Sequence, residues 1–406
     1  MSQLGAQGES PLLDIVGPHY VWPYVDETLD RALSTQLRRS LSDRDAQGVI
    51  GEYERAFADF AQAKHAISFS SGTSALHAMC RAAGLGPGDA VIAPAYTFFA
   101  TATPFAYEGV RVAFADCDAT GNVTAGTLAA ALDDDVRAVI VTHMWGRACA
   151  MAPIVRFCKQ HDLLLFEDCS HAHFASSDHQ RVGTFGDMAA FSTNQKAITT
   201  GEGGVLTTER DDFKDLALLH GHYNKRCYQE IDPAAEYYSF AFTGMGLKSR
   251  MTTLGAAIGL HQLAAAPQIE ARRRAIHDRY RDGLADNPVV SVADDGVNGL
   301  YVLGLVFHAD ACSVSRDEFV DRCVAEGAVA LDVPGSTRDI SKEPLFARHD
   351  RHASWKPSAP SDEEFPGVAQ FCDAFFKGPI WGYPGDERLV GGYLSVLQKV
   401  SADTCS

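Results

Sequence analysis

Helical stretches separate short, apolar, strand-like segments through the first half of the chain. The stretches SALHAMCRAAG and MAPIVRFCKQH, with apolar residues at helical spacing, lie among the strand-like segments HAISF, AVIAP, DVRAVIVTH and LLLFED. Strands that are apolar throughout, rather than on alternate residues, are typical of a parallel sheet covered by helices on both faces. The alternation therefore predicts an α/β domain around such a sheet.

The regular alternation ends near residue 210, and the remaining chain has a different character. A basic helical stretch at 267–285 predicts a long connecting helix. The segments YVLGLVFHA and SRDEFVDRCVAEG then predict a strand and a helix of a smaller α+β domain. Residues 333–367 are rich in Pro, Asp, Ser and His, show little periodicity and predict a long loop, which in a compact domain is often functional.

Charge and hydropathy exclude several classes of protein. The chain has 35 Lys and Arg against 52 Asp and Glu, a formal net charge of −17, which argues against general binding to nucleic-acid backbones. No uncharged apolar run approaches the ~18 residues of a membrane span. The first ten residues, MSQLGAQGES, are neither basic nor apolar and do not resemble a secretory signal. We therefore expect a cytoplasmic protein.

The sequence does not predict a metal site. None of the ten Cys forms a C-x-x-C pair, so neither a zinc site nor a redox dithiol is expected, and the thiols are expected to be reduced. His171 and His173 are two residues apart, but no third potential ligand stands at a spacing typical of a metal-binding motif. We expect no bound metal.

A polar turn between a strand and a helix is the first candidate for chemistry. Ser71-Gly72-Thr73-Ser74 follows the strand HAISF and opens a helix. Free N–H groups and the helix dipole at such a junction can cradle a phosphate, and Gly72 would allow close approach. A plain helix N-cap is the alternative, and for the tetrapeptide alone it is the favoured interpretation.

Two charged residues provide the second and third candidates. Asp168 ends the apolar strand LLLF, and in a parallel sheet the carboxyl ends of strands face the ligand crevice. Its carboxylate can pair with a cationic ligand nitrogen, although an N-cap is also common there. Lys196 is the only Lys between Asp168 and Asp211 and precedes a Gly-rich turn. A partly desolvated Lys can form a Schiff base, although a lone Lys is more often a solvated surface residue.

Together these features match the needs of one cofactor. Pyridoxal phosphate requires a Lys for its aldehyde, a carboxylate for its pyridine nitrogen and a helix N-terminus for its phosphate. The chain has a cradle at Ser71–Ser74, a strand-end Asp168 and, 28 residues later, Lys196.

Several ordered motifs resemble one family. They are SSGTSALHAMCRAAGLGPGDAVIAPAYTFFATA, HMWGRACAM, FEDCSHAHFA, GTFGDMAAFS, TGEGGVLTT and GLKSRMTTLGAAIGLHQL, within residues 45–330. In this order they resemble the DegT/DnrJ/EryC1/StrS sugar aminotransferases of pyridoxal-phosphate fold type I. The resemblance implies an aspartate-aminotransferase-like fold: a large cofactor-binding domain over 45–265 with a mostly parallel sheet, and a smaller α+β domain over 266–406. An N-terminal arm over 1–44 is expected to pack on the small domain.

The resemblance also implies roles for single residues. Lys196 matches the family's Schiff-base lysine, and Asp168 the carboxylate that keeps the pyridine nitrogen protonated. Phe98 matches the aromatic residue stacked on the cofactor ring. His171 takes the place of the polar residue that touches the cofactor's phenolic oxygen. Gly72, Thr73 and Ser74 match the phosphate cup.

Two positions depart from the family pattern. The family usually has five steps from the phosphate-binding Ser to the Lys, but Ser192 and Lys196 are four apart, so either Ser192 or Thr193 can take the phosphate role. The family also often has Asn in G-x-N-x-R-M, which reaches the cofactor phosphate of the neighbouring subunit. Here Lys248 stands in that place, and a cation can also serve a phosphate. The shared site implies a homodimer.

The resemblance implies an aminotransferase. It would move an amino group from Glu or Gln to a keto-sugar, nucleotide-sugar or keto-cyclitol in glycan or antibiotic biosynthesis, with pyridoxamine phosphate as the alternate cofactor form. One alternative is a sugar dehydratase on the same fold, but those enzymes replace the Lys with His. Another is a non-catalytic, cofactor-binding regulator. The sequence does not identify the acceptor. The loops at 222–245 and 333–365 would contact it, and no known sequence pattern relates such loops to a particular substrate.

Overall fold

The fold was examined in a computed structural model, which describes residues 11–13, 23–43, 45–222, 224–293, 299–347, 365–380 and 387–405. Part of the expected N-terminal arm, residues 1–10 and 14–22, lies outside these ranges. So do residues 348–364 of the predicted loop.

The strands are short and lie mostly in the first half of the chain. In chain order they are β1 His65–Phe69, β2 Ala90–Pro94, β3 Tyr96–Phe98, β4 Arg111–Ala115, β5 Val136–Thr142, β6 Leu164–Asp168, β7 Ser176–Ser177, β8 Gln180–Arg181, β9 Met188–Ser192, β10 Gly204–Thr208, β11 Val290–Val292, β12 Leu303–Phe307, β13 Thr337–Asp339 and β14 Phe375–Gly378.

The α-helices follow the strands of the first half and dominate the second. They are α1 Glu27–Arg39, α2 Val49–Ala61, α3 Gly72–Ala82, α4 Thr103–Tyr107, α5 Ala125–Ala130, α6 Met151–Gln160, α7 Asp211–Gly221, α8 Lys225–Glu230, α9 Thr253–Ala264, α10 Ala266–Gly283, α11 Arg316–Ala325, α12 Pro344–Ala347, α13 Pro366–Ala374 and α14 Glu387–Thr404. No helix among the described residues is long and apolar enough to cross a membrane.

A seven-stranded sheet forms the centre of the large part of the molecule. Its strand order is β1-β10-β9-β6-β5-β2-β4. The strands from β9 to β4 pair in parallel, whereas β10 is antiparallel to both β1 and β9. The predicted α/β architecture with a mostly parallel sheet is therefore confirmed.

Helices cover both faces of this sheet, which explains why its strands are apolar throughout. On one face, α3, α4 and α7 pack on Ile67, Val91, Ile140 and Leu206. On the other face, α2 and α9 pack near Phe191 and Val205, and α5 and α6 pack on the neighbouring strands. The helix α1 also packs against α9.

The C-terminal part has its own sheet and core. The strands β11, β12 and β14 form an antiparallel sheet, and α10, α11 and α14 enclose a separate apolar cluster against it. The predicted loop at 333–367 is only partly irregular, because β13 within it pairs with β3 of the large part. This pairing brings the C-terminal part to the edge of the cavity described next.

Candidate active site

A cavity of about 370 Å³ opens at the carboxyl ends of β5, β6 and β9. Ligand crevices form at this edge of parallel sheets. Its lining includes Ser71, Gly72, Thr73, Phe98, Thr101, Thr142, Trp145, Asp168, Ser170, His171, Ser192, Asn194, Lys196, Glu202, Tyr301, Ser336, Thr337 and Lys377. Segments far apart in sequence therefore meet here, and most of the residues singled out above are among them.

Three of the residues expected to bind the cofactor do not line this cavity. The hydroxyl of Ser74 lies within hydrogen-bond distance of the Ser71 hydroxyl, at 2.9 Å. Thr193 is fully buried, and its hydroxyl pairs with that of Thr200 at 2.6 Å. Lys248 is exposed on a loop next to the turn, where the Ser249 carbonyl accepts from the Ser70 amide at 2.7 Å.

The start of α3 forms a narrow cradle against the end of β9. Ser71 caps the helix by accepting a hydrogen bond from the Ser74 amide at 3.0 Å. The amides of Gly72 and Thr73 precede the first intrahelical bond and so point out of the helix. A Cβ atom at Gly72 would lie 2.7 Å from the Cβ of Ser192. Only glycine therefore allows Ser192 to sit this close to the helix N-terminus.

The Asp168 carboxylate is held in one orientation. Thr101 donates to Oδ2 at 2.8 Å, and the Ser170 amide donates to Oδ1 at 3.0 Å. The Thr101 hydroxyl belongs to a buried group with Thr97 and Thr142. Asp168 is 4% exposed, yet it lines the cavity. Both oxygens are thus fixed with part of their accepting capacity left for a ligand.

The neighbouring Glu167 points to the opposite face of the sheet, as strand geometry requires. It is fully buried and accepts hydrogen bonds from the amides of Gly183, Phe185 and Gly186 at 2.8–2.9 Å. His143 Nε2 lies 3.1 Å from Oε2, the oxygen that also accepts from the Gly183 amide. His143, Glu167 and Cys169 place potential metal-ligand atoms within 4.8 Å of one another, but these hydrogen bonds already occupy the carboxylate. Glu167 therefore serves the fold and does not reach the cavity.

Lys196 projects into the cavity from a tightly closed loop after β9. The Thr200 amide donates to the Thr193 carbonyl at 2.9 Å, which closes the loop that carries Lys196. Its Nζ donates to the hydroxyl of Tyr301 at 2.9 Å and lies 4.6 Å from the centre of that ring. Lys196 is half-buried, as expected for a lysine that acts within a cleft.

Aromatic rings form one wall of the cavity. The His171 ring stacks on Tyr301 with centroids 4.2 Å apart, and Trp145 stacks on His171 at 5.1 Å. Burial, together with nearby Lys196, holds the pKa of His171 well below its usual value, so the ring is neutral. Phe98 is partly exposed at the cavity.

Sequence reasoning missed several residues of this site. Tyr301 belongs to a segment whose sequence predicts only a strand, and Trp145 and Thr101 lie in quoted motifs that assign them no role. Lys377 has no signal in its local sequence. These residues share only their position in three dimensions.

A second cavity of about 340 Å³ adjoins the first and shares Ser336 with it. Phe99, Phe346 and Arg338 line it, and Arg338 pairs with Glu343 at 2.7 Å. The two cavities together offer room beyond a single ring-sized ligand.

Comparison with known proteins found similarity to one family of enzymes. A sequence model of the DegT/DnrJ/EryC1/StrS aminotransferase family matches residues 38–355. GDP-perosamine synthase from Caulobacter vibrioides is 36% identical over 280 residues, covering 67% of this chain and 72% of that protein. L-glutamine:2-deoxy-scyllo-inosose aminotransferase from Streptomyces kanamyceticus is 32% identical over 267 residues, covering 63% of this chain and 62% of that protein. The solved aminotransferase from Psychrobacter cryohalolentis superposes with a TM-score of 0.83 at 26% identity, covering 95% of this chain and 99% of that one.

Proposed function

We propose a substrate class from one premise: this chain belongs to the DegT/DnrJ/EryC1/StrS aminotransferase family. It is a pyridoxal phosphate-dependent aminotransferase of fold type I. The proposed reaction moves the amino group of Glu or Gln to the keto group of a sugar, a nucleotide-linked sugar or a cyclitol, in glycan or antibiotic biosynthesis. The single observation that carries the proposal is Lys196 in a cavity with Asp168 and the α3 cradle. The related perosamine synthase and inosose aminotransferase support the acceptor class.

The residues present fit pyridoxal phosphate. The cradle at Gly72 admits a phosphate where any side chain would close it. His171 Nδ1 is buried with no hydrogen-bond partner among the described residues, which suits a polar ring substituent in the cavity. The Asp168 carboxylate provides the anion for a pyridine nitrogen. When bound, the cofactor supplies an aldehyde and an electron-accepting ring.

We assign the phosphate-side roles to Gly72, Thr73 and Ser192. Ser192 lines the cavity beside the helix N-terminus, whereas the Thr193 hydroxyl is engaged with Thr200. Of the two hydroxyls that the sequence left open, the proposal therefore takes Ser192. Ser74 would act behind the cup by holding Ser71. Phe98 would pack on the cofactor ring.

Lys196 would carry the protons. Its Nζ takes the proton from Cα of the amino donor in the first half-reaction. In the second half-reaction it returns a proton to the acceptor carbon that gains the amine. Asp168 would stabilise a positive charge on the neighbouring ring nitrogen, because Thr101 and the Ser170 amide hold its carboxylate in a fixed orientation. A dehydratase of this fold would have His in place of Lys196, which disfavours that alternative.

The three-part division of the chain remains a proposal. Two apolar clusters support a large unit at 45–265 and a small one at 266–406: the first consists of residues before 265 with Ile340 and Phe346 added, and the buried residues of the second all follow residue 275. For the arm at 1–44, the Leu13 amide donates to the Glu326 carbonyl of the small unit at 3.0 Å. The later part, α1, packs on α9 of the large unit instead. A cytoplasmic location also remains a proposal.

A homodimer with shared active sites is the proposed assembly. Large apolar side chains are exposed near the cavity and on the loop that precedes Lys248, and Phe242 and Leu247 are 64% and 72% exposed. These exposed side chains are available to pack against a second copy of the chain. The Lys248 side chain does not line the cavity of its own chain, which favours a role in the partner's site.

Mixing two variants tests the role of Lys248. A Lys248→Ala chain is expected to bind cofactor more weakly but to stay dimeric. The variant lacks the ammonium group that would sit near the cofactor phosphate in a partly dry cleft. In a heterodimer with a Lys196→Ala chain, one site would then carry both lesions and the other neither. Activity at limiting cofactor should therefore rise on mixing. No rise, with heterodimers confirmed by native mass spectrometry, would place Lys248 within its own site or outside both.

Donor and acceptor titrations test the proposed function directly. L-Glu or L-Gln should convert the cofactor absorbance of the purified enzyme to that of the aminated form. A nucleotide-linked keto-sugar and a free keto-cyclitol such as 2-deoxy-scyllo-inosose are then tested for return of the original spectrum. Mass spectrometry of the product should show a gained nitrogen. Loss of water without nitrogen would indicate a dehydratase, and no spectral change with any donor would favour a cofactor-binding regulator.

A further inference from the structure

We propose that Tyr301 is a positioning residue that holds the Nζ of Lys196 where it can transfer a proton. The Tyr301 hydroxyl accepts a hydrogen bond from Nζ at 2.9 Å, and Nζ lies 4.6 Å from the ring centre. An aromatic face at this distance attracts an ammonium group, so ring and hydroxyl act on the same atom. The inference rests on the proposed function, because it concerns Lys196 as the proton carrier.

The Tyr301 ring has little freedom to turn. It stacks on His171 with centroids 4.2 Å apart and planes 19° from parallel. It is also nearly parallel to Trp145, at 6.2 Å and 12°. Trp145 is in turn fixed by donating Nε1–H to the Tyr96 hydroxyl at 3.1 Å. The ring is therefore set by packing that does not involve Lys196.

The backbone that carries Tyr301 is clamped from two sides. The Gly299 amide donates to the Gly146 carbonyl at 2.8 Å. Buried Arg273 donates to the carbonyls of Leu300 and Tyr301 at 2.8 and 3.2 Å. The first clamp joins this segment to the Trp145 loop, and the second joins it to α10.

Backbone strain is concentrated where these segments meet. Leu300 has φ of +49° and Trp145 has φ of +54°, in the left-handed region that non-glycine residues rarely adopt. Such conformations persist only where the surrounding structure determines them, and they cluster at functional sites. Trp145 is itself one of the stacked rings, and Leu300 directly precedes Tyr301. The surrounding structure therefore maintains the orientation of the Tyr301 ring at a cost in backbone conformational energy.

Lysine needs such support because its side chain has four rotatable bonds. A free amine in a cavity of about 370 Å³ would sample positions far from the reacting carbon. The Tyr301 hydroxyl accepts from Nζ whether the amine is neutral or charged, because both forms carry an N–H. The hydroxyl thus favours one position of Nζ throughout proton transfer.

Matched Tyr→Phe variants test the proposal. Tyr301→Phe keeps the stack and removes only the hydroxyl. Tyr393→Phe also removes a buried hydroxyl, but this one accepts from the Ala330 amide at 2.9 Å in the separate C-terminal core and does not line the cavity. In single-turnover reactions with L-Glu or L-Gln, Tyr301→Phe should slow the donor half-reaction about tenfold, the size expected for one hydrogen bond to a charged group. The donor concentration at half-saturation should change less than about twofold, and Tyr393→Phe should match the wild type.

A second readout does not depend on turnover. Cofactor-free protein is treated with an amine-selective reagent, and Lys196 modification is followed by peptide mapping. Release of Nζ from the hydroxyl should make Lys196 react several-fold faster in Tyr301→Phe but not in Tyr393→Phe. Wild-type rates in Tyr301→Phe by both readouts, or equal changes in the two variants, would overturn the proposal. If wild-type enzyme accepts no amino donor, the proposed function fails, and equal labelling of Lys196 in all three proteins would reject the contact separately.

Discussion

A Lys196→Ala variant is expected to lose at least about 10⁴-fold in kcat, equivalent to about 5 kcal/mol of transition-state stabilisation. The side chain is the one amine in the closed loop after β9, and its Nζ lies in the cavity within reach of Tyr301. Its removal takes away the proposed proton carrier. Cofactor should still bind, since the cradle at Gly72 and the Asp168 carboxylate do not depend on Lys196. Turnover and cofactor content after gel filtration measure the two effects separately.

Lysine mapping checks the same assignment in the wild-type enzyme. Borohydride reduction of the loaded protein, followed by peptide mapping, should place the cofactor label on Lys196. Lys377 is a second lysine that lines the cavity, but it pairs with Asp332. A label on Lys377, or kcat above about 1% of wild type in Lys196→Ala, would contradict the assignment.

The parts of the site that follow local rules could be predicted from the sequence. The local sequence alone identifies a carboxylate at the end of an apolar strand and a polar turn before a helix. In a parallel sheet both features lie at the carboxyl edge. Asp168 and Gly72 were found in this way, and the order of motifs identified the family. Lys196 was found because it stands alone between strand β9 and a Gly-rich turn.

The parts that depend on long-range packing could not be predicted. Tyr301 is 105 residues from Lys196, and its segment reads simply as a strand-like stretch. The sequence of β10 does not reveal that the strand runs antiparallel to its neighbours, because a buried strand is apolar whether it runs parallel or antiparallel. β13 was missed for a similar reason: Thr337–Asp339 is polar and short, and only its pairing with β3 makes it a strand.

The Ser192 and Thr193 pair shows where sequence and structure complement each other. Because Ser192 and Lys196 are four residues apart and not five, the sequence alone does not decide which of the two hydroxyls would bind the phosphate. Burial separates them: Thr193 is fully buried with its hydroxyl on Thr200, whereas Ser192 lines the cavity. A one-residue difference in register at the end of β9 decides which side chain lines the cavity.

An Asp168→Asn variant is expected to lose about 10³-fold in kcat, equivalent to about 4 kcal/mol. The change removes the anion that we propose keeps a proton on the pyridine nitrogen. It also places an NH₂ group where either Thr101 or the Ser170 amide now donates, so one of these hydrogen bonds is lost. Glu167 cannot replace it, because its carboxylate lies on the other face of the sheet and accepts three backbone amides. Steady-state kcat and the cofactor spectrum are the measurements.

Asp116→Asn is the matched control for this variant. Asp116 follows β4 in the same sheet and accepts hydrogen bonds from the amides of Gly367 and Val368, but it does not line the cavity. Its loss should lower thermal stability and leave the kcat of the folded enzyme within about twofold of wild type, because the hydrogen bonds it makes serve packing alone. Thr101→Val, which removes one donor to Asp168, should fall between the two, with a loss of about tenfold. A near-normal kcat in Asp168→Asn would show that the charge on Asp168 is not needed, and an equal loss in Asp116→Asn would trace the effect to the sheet rather than to the carboxylate at the cofactor.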